Sequence, residues 1–195
     1  MPSRAVYLLV SGSIAVRAHF GIFIPNLECN RTTLGDEWHN TPCIGTMIQV
    51  SGEPLMAGYK HEFKRNFECT TAEGVRKLVL LGHVDDSILY EPVLSKVERE
   101  NTARCLIETI ATTIPPPPAR QDIRAPIDGI KTKRSQEWTM EFLNELMDRC
   151  LIDKDAVDRT QAEREPPTHR IYGLTPNAPK LMAKLKSGSN TSKKG

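Results

Sequence analysis

The sequence has no apolar run near the roughly 20 residues that a membrane-spanning helix needs, so no membrane span is read from it. It also has almost no excess charge: 26 basic and 24 acidic residues leave a net +2. No basic stripe is interleaved with aromatic residues, which removes nucleic acid as the expected partner. The five cysteines, Cys29, Cys43, Cys69, Cys105 and Cys150, are odd in number and widely spaced, which does not suggest a disulfide framework. Cys29, His39 and Cys43 match no standard zinc spacing and have no evident fourth ligand, so neither a metal nor a cofactor is expected. At the N-terminus, Met1-Pro2-Ser3-Arg4 followed by Ala5 to Val10 has a weak likeness to a signal peptide. That apolar run breaks at Ser11-Gly12-Ser13 and reads better as a first strand, which makes the expected location cytoplasmic.

What is present fits one domain. A chain of 195 residues buries about 70% of its unfolded surface as a single unit. The expected domain covers residues 1–186, and the polar stretch 187–195 reads as a disordered tail. Residues 5–10 and 18–24 read as two strands, the second stopped by Pro25-Asn26. Residues 27–43 are polar and irregular, a long loop of the kind that rims a site. Residues 44–51 resume a strand with Met47, Gln49 and Ser51 on one face and Ile48 and Val50 on the other. Residues 58–65 alternate as a half-exposed strand, and residues 76–84 read as a more deeply buried one. The first half is thus a meander of about five strands.

From Ser95 the period turns helical, through Val97, Cys105, Leu106 and Ile110, until Pro115 to Pro118 end it. The strongest helix signal spans 135–150, with Trp138, Phe142, Leu146 and Arg149 marking successive turns and Leu143 and Met147 widening the face. A shorter helix is expected over 153–163. The fold class is therefore α+β, an antiparallel sheet of about five strands packed against helices.

Three polar residues stand out by their positions. Ser135 precedes the apolar face that begins at Trp138, where a serine ordinarily caps the helix through its side-chain oxygen. The same position lies at the positive end of the helix dipole, where a nucleophile is activated and backbone N–H groups can hold an oxyanion. His19 begins a buried strand and Gln49 lies on the next one; singly, each is an ordinary strand residue. Tyr7, on the first strand, is an additional candidate donor whose simpler role is core packing.

Together they resemble the circularly permuted papain-like proteins, the lecithin-retinol acyltransferase-like and NlpC/P60 groups. His19-Phe20-Gly21-Ile22-Phe23-Ile24 is similar to the family's general-base strand, and Met47-Ile48-Gln49-Val50 to its orienting strand. Arg134-Ser135-Gln136-Glu137-Trp138 is similar to its nucleophile motif. The chain from about residue 5 to 157 further resembles small fungal proteins that share the Gly45-Thr46 to Arg65-Asn66 pattern, and in such relatives Cys-Gln-x-Trp is expected where Ser135-Gln136-Glu137-Trp138 stands.

The resemblance implies a papain-like architecture and a cysteine-type hydrolase or acyltransferase of small-molecule biosynthesis, acting on an amide, ester or thioester. His19 would be the general base, Gln49 its orienting partner and residue 135 the nucleophile, with a small-molecule acyl substrate as the partner. Two positions depart from the pattern. Gln49 replaces a histidine, a change an amide tolerates because orienting an imidazole needs only an acceptor. Ser135 replaces the cysteine, and a hydroxyl does not ionise as a thiol does. Ser135 thus marks a serine-dependent variant, a noncatalytic papain-fold ligand-binding protein, or a cysteine-to-serine substitution; the catalytic look of its surroundings favours the last.

Overall fold

The computed structural model describes residues 2–93 and 96–169. Among these residues six strands form one open antiparallel sheet: β1 (Ser3–Ser11), β2 (His19–Pro25), β3 (Ile44–Glu53), β4 (Gly58–Glu68), β5 (Val75–Asp85) and β6 (Glu98–Glu100). Their order across the sheet is β5-β1-β2-β3-β4-β6. The helices are α1 (Leu34–Glu37), α2 (Leu106–Thr113), α3 (Ser135–Asp148) and α4 (Lys154–Glu163). The architecture is α+β, an antiparallel sheet packed against helices. None of the described helices is long and apolar enough to cross a membrane.

Strand β1 is paired on both edges and covered on both faces. Val6, Leu8 and Val10 enter a core shared with the long helices, while Ala5, Tyr7 and Leu9 enter a second core on the opposite face. A strand buried on both sides has no polar face to alternate, which explains the continuous apolar run at its sequence position. On the helix side, α3 inserts Trp138, Phe142, Leu143 and Leu146, all fully buried. Trp138 stacks on Phe142 at 5.4 Å between ring centroids. The α2 helix ends before Pro115, and the carbonyl of Ile114 accepts from both Trp138 Nε1 (3.2 Å) and His61 Nε2 (2.9 Å). The terminal carbonyl that the prolines strip of a helical partner is thereby satisfied twice.

The second face explains residues 27–43. That segment packs over the sheet through α1, whose Leu34 is fully buried, worth about 1.5–3 kcal/mol. Tyr7 donates its hydroxyl to the carbonyl of Arg31, and burial pushes its pKa up to about 12. Tyr7 therefore closes this second core and is not a donor to the site.

Four expectations are corrected. The sheet has six strands instead of about five, and it is no simple meander, because β5 returns to the outer edge of β1. The sixth strand, Glu98–Glu100, pairs with Phe63 to Arg65 through its main chain, and its charged side chains carry no apolar period. Val97, placed on a helix by its spacing, is instead 55% exposed, and α2 starts only at Leu106. Strand β5 is an edge strand and mostly half-buried; α1 and α4 cover its few buried residues, Leu78, Leu81 and Val84. Finally, Arg149 is the exposed cap that ends α3 and not part of its apolar face. The part of the 1–186 domain beyond residue 169, and the 187–195 tail, lie outside the described residues.

Candidate functional site

The start of α3 departs from the capping pattern. Arg134 holds the extended cap position (φ −135°, ψ −171°), and its N–H donates to the Glu137 carboxylate at 3.0 Å. Ser135 is the first helical residue and caps nothing. It is only 3% exposed, and its Oγ accepts the N–H of Phe20 at 3.2 Å. Among the described residues no acceptor faces the Ser135 O–H. The first-turn amides of α3 also lack intrahelical partners, as every helix start must.

The sheet topology explains why Phe20 can serve Ser135. Strand β2 pairs with β1 back to Ser11↔His19, but with β3 only from Ile22↔Ile48 onward. Beyond that point β2 and β3 part, and the Phe20 amide donates to the serine that enters the gap. One peptide link separates Phe20 N from the His19 Cα, so Oγ lies within about 6 Å of that atom. Among the described residues no hydrogen bond joins the hydroxyl to the imidazole itself.

His19 and Gln49 are brought together. His19 Nε2 lies 2.8 Å from Gln49 Oε1, and Gln49 Nε2 donates to the Glu62 carboxylate. A carboxylate only accepts, so Glu62 fixes which way the amide points. The amide oxygen toward His19 in turn requires the proton on Nε2, leaving the Nδ1 lone pair free as a base. Burial lowers the His19 pKa below that of an ordinary histidine, and the Lys64 ammonium lowers it further, while the bond to Gln49 and the charge of Glu62 oppose them. The net shift favours the neutral ring.

His19 and Gln49 open onto a cleft of about 260 Å³. Leu9, Met47, Phe67 and Val75 supply apolar wall, with Lys64 and Glu73 as the charged lining. Ser135 does not line this cleft, and neither does the 27–43 segment nor Tyr7.

Glu62 and Lys64 are the neighbours of the His19–Gln49 pair that sequence reasoning missed. The β3–β4 hairpin register, Gln49↔Glu62, sets Glu62 directly opposite. Pairing the two strands about the Glu53–Gly58 turn is the signal that finds it.

Neighbouring groups fix both ends of the site. Gln136 Nε2 donates to the Ala18 carbonyl at 2.9 Å, and Arg17 Nη2 bridges Gln136 Oε1 (2.9 Å) and Glu137 Oε1 (2.8 Å). The loop into α3 is held by Asp128, which accepts the N–H groups of Ile130, Lys131 and Thr132. Those bonds, that from Thr132 foremost, hold its carboxyl at about 2. Gln121 accepts the N–H of Lys133 at 2.7 Å and so ties the polyproline connector to the same entry. As for metals, no group of three or more His, Cys, Asp or Glu side chains is placed to hold an ion among the described residues.

Residues 6–153 match the profile of a family of unknown function, DUF6540. No curated protein and no solved structure matches the chain. The match covers well over half of the sequence, and the chain belongs to this family.

Proposed function

We propose that this member of DUF6540 carries a papain-like acyl-transfer centre, with residue 135 at the nucleophile position, His19 as general base and Gln49 as its orienting partner. The observation that carries this reading is the Glu62–Gln49–His19 hydrogen-bond chain, whose polarity calls for the proton on Nε2 and leaves Nδ1 as the basic atom of the imidazole. The hydroxyl at the start of α3, held on the main chain next to His19, supports the second half. Base on one strand, orienting group on the next, and nucleophile at a later helix start is the order of the permuted papain-like architecture.

In the first step His19 Nδ1 takes the proton of residue 135 as its oxygen or sulfur bonds to an amide, ester or thioester carbonyl. The carbonyl electrons move to the oxygen, which the residue 135 N–H stabilises at the positive end of α3. Collapse expels the leaving group with the proton from His19 and leaves an acyl-enzyme. Water, an amine or an alcohol then takes the acyl group by the reverse sequence.

A thiol suits this centre, because the helix dipole and the imidazolium lower its pKa; a serine hydroxyl gains little from either. The chain with Ser135 is therefore a weak catalyst of a cysteine-type reaction. The decisive comparison uses S135C incubated with p-nitrophenyl acetate and mapped by peptide mass spectrometry, since five native thiols compete. The expected result is an acetyl adduct at position 135 that disappears in S135C/H19A. No adduct in S135C would contradict the reading.

The burial of Ser135 and its absence from the cleft lining favour a second reading, a noncatalytic papain-fold protein that binds a small ligand beside His19. Under it, S135C acquires no adduct, and His19→Ala changes ligand binding alone.

A further inference from the structure

Resting on the proposed acyl-transfer centre, we infer that Glu165 is a positioning residue that locks the base strand and the nucleophile helix into one frame. It lies past α4, beyond the family-matched residues 6–153, yet reaches back to both halves of the site.

Its carboxylate accepts the N–H of Ala18 at 2.7 Å, one residue before His19. The same oxygen accepts from Gln136 Nε2 at 3.3 Å, one residue after Ser135. Its own N–H donates to Gln136 Oε1 at 3.1 Å, so Gln136 is gripped at both ends of its amide. Its carbonyl accepts from Arg17 Nη1 at 3.0 Å, while Arg76 approaches the other carboxylate oxygen at 3.6 Å. The next turn is anchored separately, by Arg17 Nη1 to the Pro166 carbonyl at 2.7 Å and by Ile127 N–H to the Pro167 carbonyl at 3.0 Å.

No sheet pairing with β3 holds the first residues of β2, where the two strands have parted. Glu165 supplies the missing constraint. It satisfies the Ala18 amide and fixes, through Gln136, how far residue 135 stands from the base. Residue 165 acts on the site through Ala18 and Gln136, by geometry.

The test follows alkylation of the introduced thiol by iodoacetamide in the full chain, resolved at position 135 by mass spectrometry from pH 5 to 10. Relative to S135C, S135C/E165A is expected to react at least about tenfold more slowly at pH 7, since a misplacement near 1 Å costs that much or more. Its pH profile is expected to move toward that of an ordinary thiol. S135C/E165Q keeps an oxygen for the Ala18 N–H, so it should recover most of the rate. If E165A lowers the melting temperature below the assay temperature, E165D, which withdraws the carboxylate by one methylene, takes its place with the same expectation.

An unchanged rate and profile in S135C/E165A, or no rescue by E165Q in a folded protein, overturns the inference while the site reading stands. Ordinary reactivity in S135C itself overturns the site reading and this inference with it.

Discussion

Replacing Glu137 by alanine removes a buried carboxylate that caps the start of α3 and pairs with two arginines. Its side chain is 3% exposed and accepts three donors: the Arg134 N–H at 3.0 Å, Arg17 Nη2 at 2.8 Å and Arg164 Nη2 at 2.9 Å. Arg17 is itself 8% exposed, so E137A breaks a buried ion pair and leaves the guanidinium on neutral acceptors, Gln136 Oε1 and the Glu165 and Pro166 carbonyls; breaking a buried pair costs about 3–5 kcal/mol. Arg164 is 27% exposed, and water recovers part of its loss. The unmet N–H at the helix start adds about 1 kcal/mol, overlapping with the first loss because the groups share one network. The expected net destabilisation is about 3–4 kcal/mol, or roughly 10 °C in melting temperature for a domain of this size. Urea unfolding followed by tryptophan fluorescence reads it, since Trp138 is fully buried beside this network. Glu137→Gln, which keeps an acceptor without the charge, should fall between. A loss below about 1 kcal/mol for E137A, the behaviour of a surface pair, refutes the assignment of this carboxylate as the helix-start anchor.

Two further outcomes follow from the same geometry. His19 has a lowered pKa in the folded chain, so the unfolded chain binds the proton more readily; stability is full above the ordinary value near 6.5 and lost as pH falls toward the folded value. Urea midpoints at pH 7 and pH 5 should therefore drop more for the parent chain than for His19→Gln, and equal drops would remove the burial effect. At Gly45 an added Cβ would meet the Ile24 carbonyl oxygen at 2.3 Å and the Phe23 ring at 2.7 Å. Gly45→Ala should accordingly cost about 1–3 kcal/mol in chemical denaturation, whereas an unchanged midpoint would mean that β2 and β3 yield without penalty.

The sequence made much of the fold legible wherever side chains carry the period. The two-residue alternation through Met47 to Ser51 assigned both faces of β3, and the Trp138–Phe142–Leu146 spacing fixed α3, because each element buries one patterned surface. Pattern failed where the main chain does the pairing. Glu98–Glu100 joins the sheet with no apolar residue, and an edge position left the apolar β5 only half-covered.

The site was legible at His19 and Gln49, whose strands are neighbours in the sequence, and their hydrogen bond joins them. Glu62 was hidden because its role comes from hairpin register and not from its own neighbours. Ser135 looked like a helix cap because serine there is common; its oxygen instead takes an amide from a strand 115 residues away, which no local pattern encodes. Glu165 was hidden for the same reason, its partners lying 147 and 29 residues away.

The central claim, that residue 135 stands where a nucleophile is activated by His19, reduces to one measurement: the pH dependence of iodoacetamide alkylation at position 135 in S135C and in S135C/H19A. The account predicts an apparent thiol pKa well below the roughly 8.5 of free cysteine, rising when His19 is removed. An ordinary profile near that value, indifferent to His19, would contradict it.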